Sequence, residues 1–390
     1  MVDNIENRIL IREFNEDRDI EEVEKLEKNC EIGSKRGISI FTNMMGDPLC
    51  RIRLYPVHVM LVAELLQNGE LVGVVRGCIK YVGTGFMGAH VKMGCILGLR
   101  VSPRHRRMGI GLKLVKSIEE WTVRNGAHYI ILATEESNIP SKNLFTVKCN
   151  YSKFISLVIV VQPVSSPTKH LCQDIKIEKL HTDQAISFYE NRFGGKEMYP
   201  MDIDAILKGR LSLGTWISYF KEGNWNGEMI SSTRTPSSWV IFSIWNSCEV
   251  YKLQIRKSLP LKCFHATLSH ARDKIFPCLK MPIIFDSFEN KPFGFLFLYG
   301  LYGEGERLAE IMKCVWSFAS RMAENVKDCR VIMAELGASD PLRWHVPQGS
   351  SMSTIKDLWY LKKVCSPASD EDELMMMGQV GDMFVDPRDF

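Results

Sequence analysis

Short apolar runs alternate with longer segments of helical spacing along the first 163 residues. The apolar runs predict six strands, at Ile9–Phe14, Val59–Leu66, Leu71–Tyr81, Met93–Val101, Tyr129–Thr134 and Tyr151–Val161. Helices are predicted at Asp17–Cys30, from Ile110 to a stop at Asn125–Gly126, and at Ser141–Val147. Asn68–Gly69 predicts a hairpin turn between the second and third strands. Glu31–His58 and Gly83–Lys92 lack a clear period, and we expect irregular loops there.

A similar order of patterns follows Gln162–Asp174, whose prolines and serines are typical of a linker. The second series comprises a strand at Ile175–Leu180, a helix at Thr182–Arg192, the polar tract Lys221–Ser238, paired strands at Ser238–Trp245 and Glu249–Arg256, a strand at Phe293–Leu301, a helix along Leu308–Met322 and a strand at Val331–Ala334. We therefore expect a second, divergent copy of the same unit. An unrelated α/β domain is the alternative.

The most informative stretch is Gly98–Leu114 (GLRVSPRHRRMGIGLKL), which joins the fourth strand to the second helix. The apolar run stops at Ser102–Pro103, a basic turn follows, and Gly109 and Gly111 lie at the start of the helix. The N–H groups of a helix's first turn have no partner inside the helix, and the helix dipole adds partial positive charge there. The stretch therefore predicts a site for an anion.

The glycine spacing fits neither of two common phosphate-binding motifs. The dinucleotide fingerprint needs three glycines and a downstream acidic residue, and a Walker loop needs Gly-Lys-Ser/Thr. The order Arg106-x-x-Gly109-x-Gly111, preceded by Val101-x-Pro103, resembles the pyrophosphate loop of the GNAT superfamily of acyl-CoA N-acyltransferases. An ordinary strand–turn–helix with solvated arginines is the alternative interpretation.

The resemblance implies the mixed α/β sheet of the GNAT fold over residues 8–163, with acetyl-CoA as co-substrate and no metal. It implies that backbone N–H groups of Arg107–Leu112 hold the pyrophosphate and that Arg106 and Arg107 contact phosphate oxygens. The strand edge Leu99–Val101 would pair with the pantetheine arm, and a backbone N–H there would polarise the thioester carbonyl. The residues implied to contact acetyl-CoA are Leu99, Arg100, Val101, Arg106, Arg107, Met108, Gly109, Ile110, Gly111, Leu112, Asn138, Ser141 and Phe145.

A second motif, Asn138-x-x-Ser141-x-x-Leu144-Phe145 followed by Tyr151, resembles the family's N-x-x-A/S-x-x-L-Y segment. The family's frequent tyrosine is a candidate acid for the departing thiolate, and Phe145 stands in its place. Because Phe145 cannot donate a proton, either another group does so or the thiolate leaves unassisted.

The strand before the anion loop offers no good base. Its candidates are Met93, Cys95 and Leu97, and none deprotonates an ammonium well. We take Glu135, at the end of the next strand, as the candidate catalytic base. Glu136, Glu64 and a water chain remain alternatives.

The corresponding loop of the second half, Gly300–Arg307, reads GLYGEGER. It lacks the preceding arginine and carries two glutamates, and like charge opposes anion binding. We therefore expect the second half to be catalytically silent.

Longer strings extend the resemblance over essentially the whole chain. They are LGLRVSP-x-HRR-x-GIG-x-KLVK, EEW, NLFT-x-KC-x-Y, GDP-x-CRIR, LSLGTW and the terminal FVDPR, and together they resemble the plant Hookless family of N-acetyltransferases. This likeness implies a nuclear, hormone-linked regulator of growth that acetylates proteins, with histones among the candidate acceptors. The expected domains are a GNAT domain over 1–163, a linker over 164–174, a degenerate GNAT-like domain over 175–365 and an acidic tail over 366–390.

Composition and charge bear on nucleic-acid binding, on the state of the cysteines and on membrane association. A net charge of +3 gives no global field for nucleic acid, so the four basic residues of Arg104–Arg107 favour a small anion over DNA. The twelve cysteines show no zinc-ligand spacing, and we expect reduced thiols. The N-terminus lacks a signal-peptide pattern and the apolar runs are too short to span a bilayer, so we expect a soluble protein with no membrane partner.

Two points stay open at this stage. The acidic stretch after Ser366 is expected to be solvated and disordered, although docking onto a partner or onto the protein's own surface is an alternative. The chain is either an enzyme that acetylates an amine by direct attack or a regulatory module that binds acetyl-CoA without turnover. A homo-oligomer is compatible with both.

Overall fold

The computed structural model describes residues 9–31, 33–35, 38–84, 89–164, 173–194, 196–221, 236–257, 291–348, 352–364 and 383–390. Its strands are β1 (Ile9–Glu13), β2 (Gly33–Lys35), β3 (Ile38–Asn43), β4 (Val57–Leu65), β5 (Leu71–Thr84), β6 (Ala89–Val101), β7 (Tyr129–Glu135), β8 (Ser152–Pro163), β9 (Ile175–Lys179), β10 (Tyr199–Pro200), β11 (Ser212–Phe220), β12 (Trp239–Asn246), β13 (Lys252–Lys257), β14 (Gly294–Glu304), β15 (Cys329–Gly337) and β16 (Ser353–Lys363). Its α-helices are α1 (Glu16–Asn29), α2 (Ile110–Arg124), α3 (Ile139–Asn143), α4 (Thr182–Phe193), α5 (Ile203–Lys208) and α6 (Leu308–Glu324). Within these ranges, no helix has the length and apolar character needed to cross a membrane.

Thirteen of the described strands form one sheet, in the order β1-β4-β5-β6-β7-β16-β8-β15-β14-β12-β11-β9, with β10 paired to β5. Two neighbouring pairs, β6 with β7 and β14 with β15, are parallel. A helix, α2 or α6, joins the strands of each parallel pair, because parallel strands need a long crossover connection. The mixed α/β sheet confirms the predicted fold class.

The two halves of the sheet exchange their last strands. β16, from the second half, lies between β7 and β8 of the first half and pairs antiparallel with both. β8, from the first half, lies between β16 and β15 and so extends the sheet of the second half. Each half is therefore completed by a strand of the other, and the sheet passes without a break through both predicted domains. The domain boundaries themselves stay a prediction.

Helices cover both faces of this sheet. On one face, α2 buries Leu114 and Ile118 against the first half, and α6 buries Ile311 and Val315 against the second. The opposite face carries the largest core, to which α1, α4 and α5 contribute. The apolar positions of α2 and α6 recur at helical spacing, which is why both helices were predictable.

A backbone irregularity repeats in the two halves and supports the predicted second copy. Gly98 in β6 and Gly300 in β14 both have a φ of +59°, a region that favours glycine. The register to the neighbouring strand shifts at both places. A Cβ atom would lie 2.9 Å from Arg76 Nη1 at Gly98 and 2.5 Å from the Tyr189 hydroxyl at Gly300. The same bulge with the same requirement for glycine therefore occurs twice.

Several predicted elements need correction. The expected loop Glu31–His58 contains β2, β3 and a 3-10 turn at Ile52–Leu54, and β5 and β6 extend into the expected loop Gly83–Lys92. The predicted pairing of Ser238–Trp245 with Glu249–Arg256 is wrong, since β13 pairs with β3 of the first half. The pattern also missed β11 and β16. β13 and β16 pair with strands that are distant in sequence, and a local pattern of apolar residues does not reveal such partners.

The prediction of a solvated tail is wrong for residues 383–390. Arg388 is 5% exposed, and its guanidinium lies 2.6 Å from the carboxylate of Asp202. Asp389 forms an ion pair with Lys80, which is buried on β5. The charges of this segment are therefore neutralised inside the core by partners from both halves. The rest of the predicted tail, residues 365–382, lies outside the described ranges.

Candidate functional site

β6 and β7 separate after a short paired stretch and open a cleft. They pair over Met93–Ile96 and Tyr129–Leu132, after which β6 continues alongside β5 alone. A cavity of about 1220 Å³ lies where they diverge, lined on the β6 side by Gly98–Val101 and on the β7 side by Leu132–Glu135. Backbone groups on these two edges have no strand partner among the described residues. An extended molecule could therefore pair with them as an added strand.

The structure brings nearly all of the predicted site residues around this cavity. Those that line it are Leu99, Arg100, Val101, Arg106, Arg107, Gly109, Ile110, Gly111, Leu112, Asn138, Ser141 and Phe145, together with Glu135. Met108 is the exception, because its side chain packs against the core beneath α2. The individual roles of these residues stay predictions.

The loop between β6 and α2 presents backbone N–H groups to the cavity. Gly109 is the N-cap of α2 with a φ of +78°, and no side chain caps this helix start. A Cβ atom on Gly109 would meet nothing within 4 Å, so the position is open to a ligand. Arg106 and Arg107 are exposed beside it, and the Arg106 guanidinium donates to the Val101 carbonyl at 3.3 Å. The residues present fit a diphosphate group.

The second motif supplies the wall beyond β7. The side-chain oxygen of Asn138 accepts from the backbone N–H of Ser141 at 3.2 Å and so begins α3. Phe145 is 3% exposed and packs edge-on against Tyr151, with ring centroids 5.5 Å apart. Tyr151 does not line the cavity, nor does any other tyrosine of the described residues. The missing phenol at Phe145 is therefore not replaced by a neighbouring one.

One carboxylate, Glu135, lies on the β7 side of the cavity, and two further carboxyl groups lie behind it on β16 and β15. Glu135 lines the cavity and accepts a hydrogen bond from the Ser137 hydroxyl at 2.6 Å. Asp357 on β16 lies directly opposite Glu135, and its carboxyl group hydrogen-bonds to that of Glu335 on β15. Burial raises the pKa of Glu335 well above its usual range. Burial, together with the nearby Glu135, raises the pKa of Asp357 to about 7.

Asp357 carries no local sequence signal that would indicate its place beside the site. Its position opposite Glu135 depends on the exchange of β16 into the first half. The two alternative bases do not line the cavity: Glu64 lies 2.6 Å from the Arg12 guanidinium, and Glu136 lies 3.6 Å from the Lys356 ammonium. Among the described residues, Glu135 is thus the candidate base that the cavity itself contains.

The wall on the side of β6 is basic. Arg100 lines the cavity, and burial lowers its pKa to about 10. Arg76 is fully buried beneath Gly98 and donates to the Glu27 carboxylate at 2.7 Å. Nη2 of Arg76 and Nε of Arg100 have no hydrogen-bond partner in the described part of the chain. The cleft therefore lies between a basic β6 side and a β7 side that carries the Glu135 carboxylate.

The equivalent place in the second half is closed. Only Gly305–Arg307 connect β14 to α6, whereas Ser102–Gly109 connect β6 to α2. A Cβ atom on Gly305 would overlap the Ser237 carbonyl, and the backbone N–H of Arg307 donates to the Ser238 hydroxyl at 3.2 Å. The helix start that could face an anion is thus occupied by the protein's own chain.

In the described ranges, no group of three or more His, Cys, Asp or Glu residues could hold a metal ion.

Comparisons with known proteins agree with this geometry. The sequence profile of the Acetyltransferase (GNAT) family matches residues 35–151. The chain is 38% identical to probable N-acetyltransferase HLS1 from Arabidopsis thaliana, over 98% of this chain and 100% of that protein. It is 30% identical to acetyl transferase GW6a from Oryza sativa subsp. japonica, over 98% of this chain and 97% of that one. The crystal structure of Saccharomyces cerevisiae N-myristoyltransferase with bound myristoyl-CoA shares the fold, with a TM-score of 0.52 and 13% identity over 91% of this chain and 82% of that chain.

Proposed function

Because the chain belongs to the Hookless-like branch of the GNAT acetyltransferase family and is an N-acetyltransferase, we propose that it transfers acetyl from acetyl-CoA to a lysine amine of a protein. Histones in the nucleus are the acceptors that we place first, and the regulation of plant growth is the proposed setting. The observation that carries the proposal is the open, uncapped start of α2 at the mouth of the cleft between β6 and β7.

The two edges of the cleft have separate proposed tasks. Backbone N–H groups of Arg107–Leu112, with the side chains of Arg106 and Arg107, bind the diphosphate of acetyl-CoA. The free edge of Leu99–Val101 binds the pantetheine arm, and one of its N–H groups stabilises the oxyanion that develops on the thioester carbonyl. Ala133, which is exposed on the β7 edge, leaves room for the reacting carbonyl and the incoming amine.

We propose direct attack by the amine without a covalent enzyme intermediate. Among the residues that line the cavity the one thiol is Cys30, and burial raises its pKa, which makes it a poor nucleophile. In the direct step, the amine nitrogen forms a bond to the acetyl carbon, and the bond between that carbon and sulfur breaks. Glu135 accepts the proton that the amine loses, and CoA leaves as the thiolate.

A second candidate function follows from Phe145. Since no tyrosine of the described residues lines the cavity, the site has no phenol to protonate a departing thiolate. A protein that binds acetyl-CoA and signals its level, with little turnover, is compatible with this observation.

Incubation of the purified protein with radiolabelled acetyl-CoA and a mixture of core histones separates the two functions. We expect the acetyl label on histone lysines, with one free CoA released for each acetyl group transferred. Tight binding of acetyl-CoA without transfer to histones or lysine peptides would support the sensing module. A DNA affinity that falls steeply with salt and disappears in Arg106→Ala would assign the basic turn to nucleic acid instead.

A further inference from the structure

A pair of carboxyl groups supplied by the second half lies behind the candidate base of the first half. We propose that Asp357 and Glu335 form a proton-sharing pair that accepts, through Glu135, the proton lost by the acceptor amine. The inference rests on the acetyl transfer proposed above. It gives the second half, whose own helix start is closed, a direct part in the reaction.

The sheet register places Asp357 next to the cavity. Asp357 and Glu135 are directly opposed on the antiparallel strands β16 and β7, a position in which Cβ atoms lie about 5 Å apart. Two residues along the same face, Trp359 opposes Ala133, the exposed residue on the edge of the cleft. Directly opposed residues of an antiparallel pair project from the same face of the sheet, so the half-buried Asp357 side chain lies on the face that carries Glu135.

Glu335 completes the pair from the interior side. It is 5% exposed on β15, and its carboxyl group hydrogen-bonds to that of Asp357. Gly337, two residues along β15, lies in the same row of the sheet as Leu157 and Asp357. The indole N–H of Trp359 donates to Glu335 Oε1 at 3.4 Å and fixes that side chain.

Two carboxyl groups in contact inside a protein cannot both be ionised at low cost, so one proton is held between them near neutral pH. The charged and titratable groups that act on the pair are Glu135 from β7 and Asp389 from the C-terminal segment. Asp389 is itself held by Lys80 and by the Tyr55 hydroxyl at 2.6 Å. A carboxylate that titrates near 7 is a stronger base than an ordinary glutamate and therefore suits an amine substrate better.

The step balances without any further reactant. The acceptor enters as an ammonium ion and gives its first proton to Glu135, which passes it to Asp357 and becomes a carboxylate again. The lone pair of the neutral amine then attacks the thioester carbon. Glu135 takes the second proton from the nitrogen as the bond between carbon and sulfur breaks and CoA leaves as the thiolate. Water that reaches Glu135 and half-buried Asp357 removes the two protons after CoA and the acetylated product have left.

The test is the pH dependence of kcat/KM for acetylation of a lysine peptide. We expect the wild type to lose activity below a midpoint near pH 7, as Asp357 becomes protonated. Asp357→Asn should lower kcat about 100-fold and remove this midpoint, with KM for acetyl-CoA unchanged. Asp357→Glu should retain the midpoint near pH 7. Glu335→Leu should move the midpoint to higher pH, because it removes the hydrogen bond from Glu335 that lowers the pKa of Asp357.

Asp328→Asn is the matched control. Asp328 is a carboxylate in the turn before β15, 2.7 Å from the Lys252 ammonium and at the far end of the strand from Glu335. We expect its pH profile to coincide with that of the wild type. An Asp357→Asn profile that also coincides with the wild type would overturn the inference while leaving acetyl transfer in place.

Thermal unfolding provides a readout that needs no acceptor. A carboxyl group whose pKa is raised on folding stabilises the protein below its unfolded pKa and loses that contribution as pH rises through the folded value. The wild-type Tm should therefore fall between pH 5 and pH 8, and Asp357→Asn should lack this fall. Equal slopes in the two proteins would overturn the proton-sharing pair. A wild type that acetylates none of the tested amines would instead overturn the proposed function, and the proton-accepting role with it.

Discussion

Gly109 and Gly126 stand at opposite ends of the same helix in nearly the same backbone conformation. Their φ angles are +78° and +77°, and α2 runs between them. The negative side chain of Gly109→Glu would occupy the space where phosphate is proposed to bind. In Gly126→Glu the same side chain lies beside the Lys92 ammonium, which is 3.6 Å from the ideal Cβ position. The two substitutions thus match in strain and charge and differ in location.

We expect Gly109→Glu to weaken acetyl-CoA binding about 100-fold or more, since each charge-assisted contact to phosphate is worth about 1.5–3 kcal/mol. Gly126→Glu should leave the affinity unchanged. Both should lose about 1–2 kcal/mol of stability, the usual cost of a left-handed conformation for a residue other than glycine. Isothermal titration calorimetry and urea unfolding measure the two quantities. Unchanged affinity in Gly109→Glu would show that the helix start is not the phosphate site.

Residue-scale features were predictable where their cause is local. The anion loop could be read from the sequence because Arg106, Gly109 and Gly111 act within one turn of chain. Asp357 could not, since nothing in its own neighbourhood indicates that β7 will lie beside it. Phe145 illustrates both cases. The sequence shows that it lacks a hydroxyl, whereas only the structure shows that no tyrosine lies in the described cavity wall.

At the scale of elements, α2 and α6 are equivalent helices with different starts. Gly109 is surrounded by open space, whereas Gly305 is pressed against Ser237 and Ser238 with a φ of +113°. The two glutamates of the second loop were predicted to repel an anion. The shorter connection, which leaves no room for one, is a further obstacle that the structure adds.

Alanine substitutions test this difference. We expect Gly305→Ala to cost about 2–4 kcal/mol of unfolding free energy, because the new methyl group meets rigid backbone and the φ angle is strained. Gly109→Ala should cost about 1 kcal/mol, because strain alone opposes it. Urea unfolding of both variants gives the comparison. Equal losses would mean that the second helix start is as open as the first.

Elements were predictable where the repeat of apolar residues is long. α2 and α6 follow from their helical period, and the glycine that stops α2 is visible in the sequence. The pairing of β4 with β5 was predictable from the Asn68–Gly69 turn, because the two strands are adjacent in sequence. The partners of β16 were not predictable, because they lie far earlier in the chain. The pairing of β13 with β3 has the same cause.

At the scale of the whole molecule, the last eight residues hold both halves together. Asp389 pairs with Lys80 on β5, and the ring of Phe390 lies 4.6 Å from that of Phe297 on β14. The acidic composition of the tail predicts solvent exposure. The buried partners of its charges are not apparent from the sequence, because they are more than a hundred residues away. The expectation of solvent exposure is therefore wrong for residues 383–390, where the alternative of docking onto the protein's own surface holds.

Removing one partner of the buried pair should cost more than removing both. We expect Asp389→Asn to lose about 3–5 kcal/mol, because it leaves the Lys80 ammonium buried without its counter-charge. The double variant Lys80→Met/Asp389→Leu should recover part of this loss. Arg53→Gln, at an exposed ion pair with Glu16, is a control that should change stability by less than about 1 kcal/mol. If the double variant loses as much unfolding free energy as Asp389→Asn, then Asp389 contributes through its packing and not through its charge.

The exchange of β8 and β16 also bears on how the protein is made. When β8 has been synthesised, β16 is still about 200 residues away, which takes roughly 10–40 s of translation. Until then the edge of β7 displays unpaired amides to any neighbouring nascent chain on the polysome. Overproduction in a host that translates quickly and lacks holdase capacity should therefore yield inclusion bodies, and slower synthesis at low temperature should raise the yield of native enzyme.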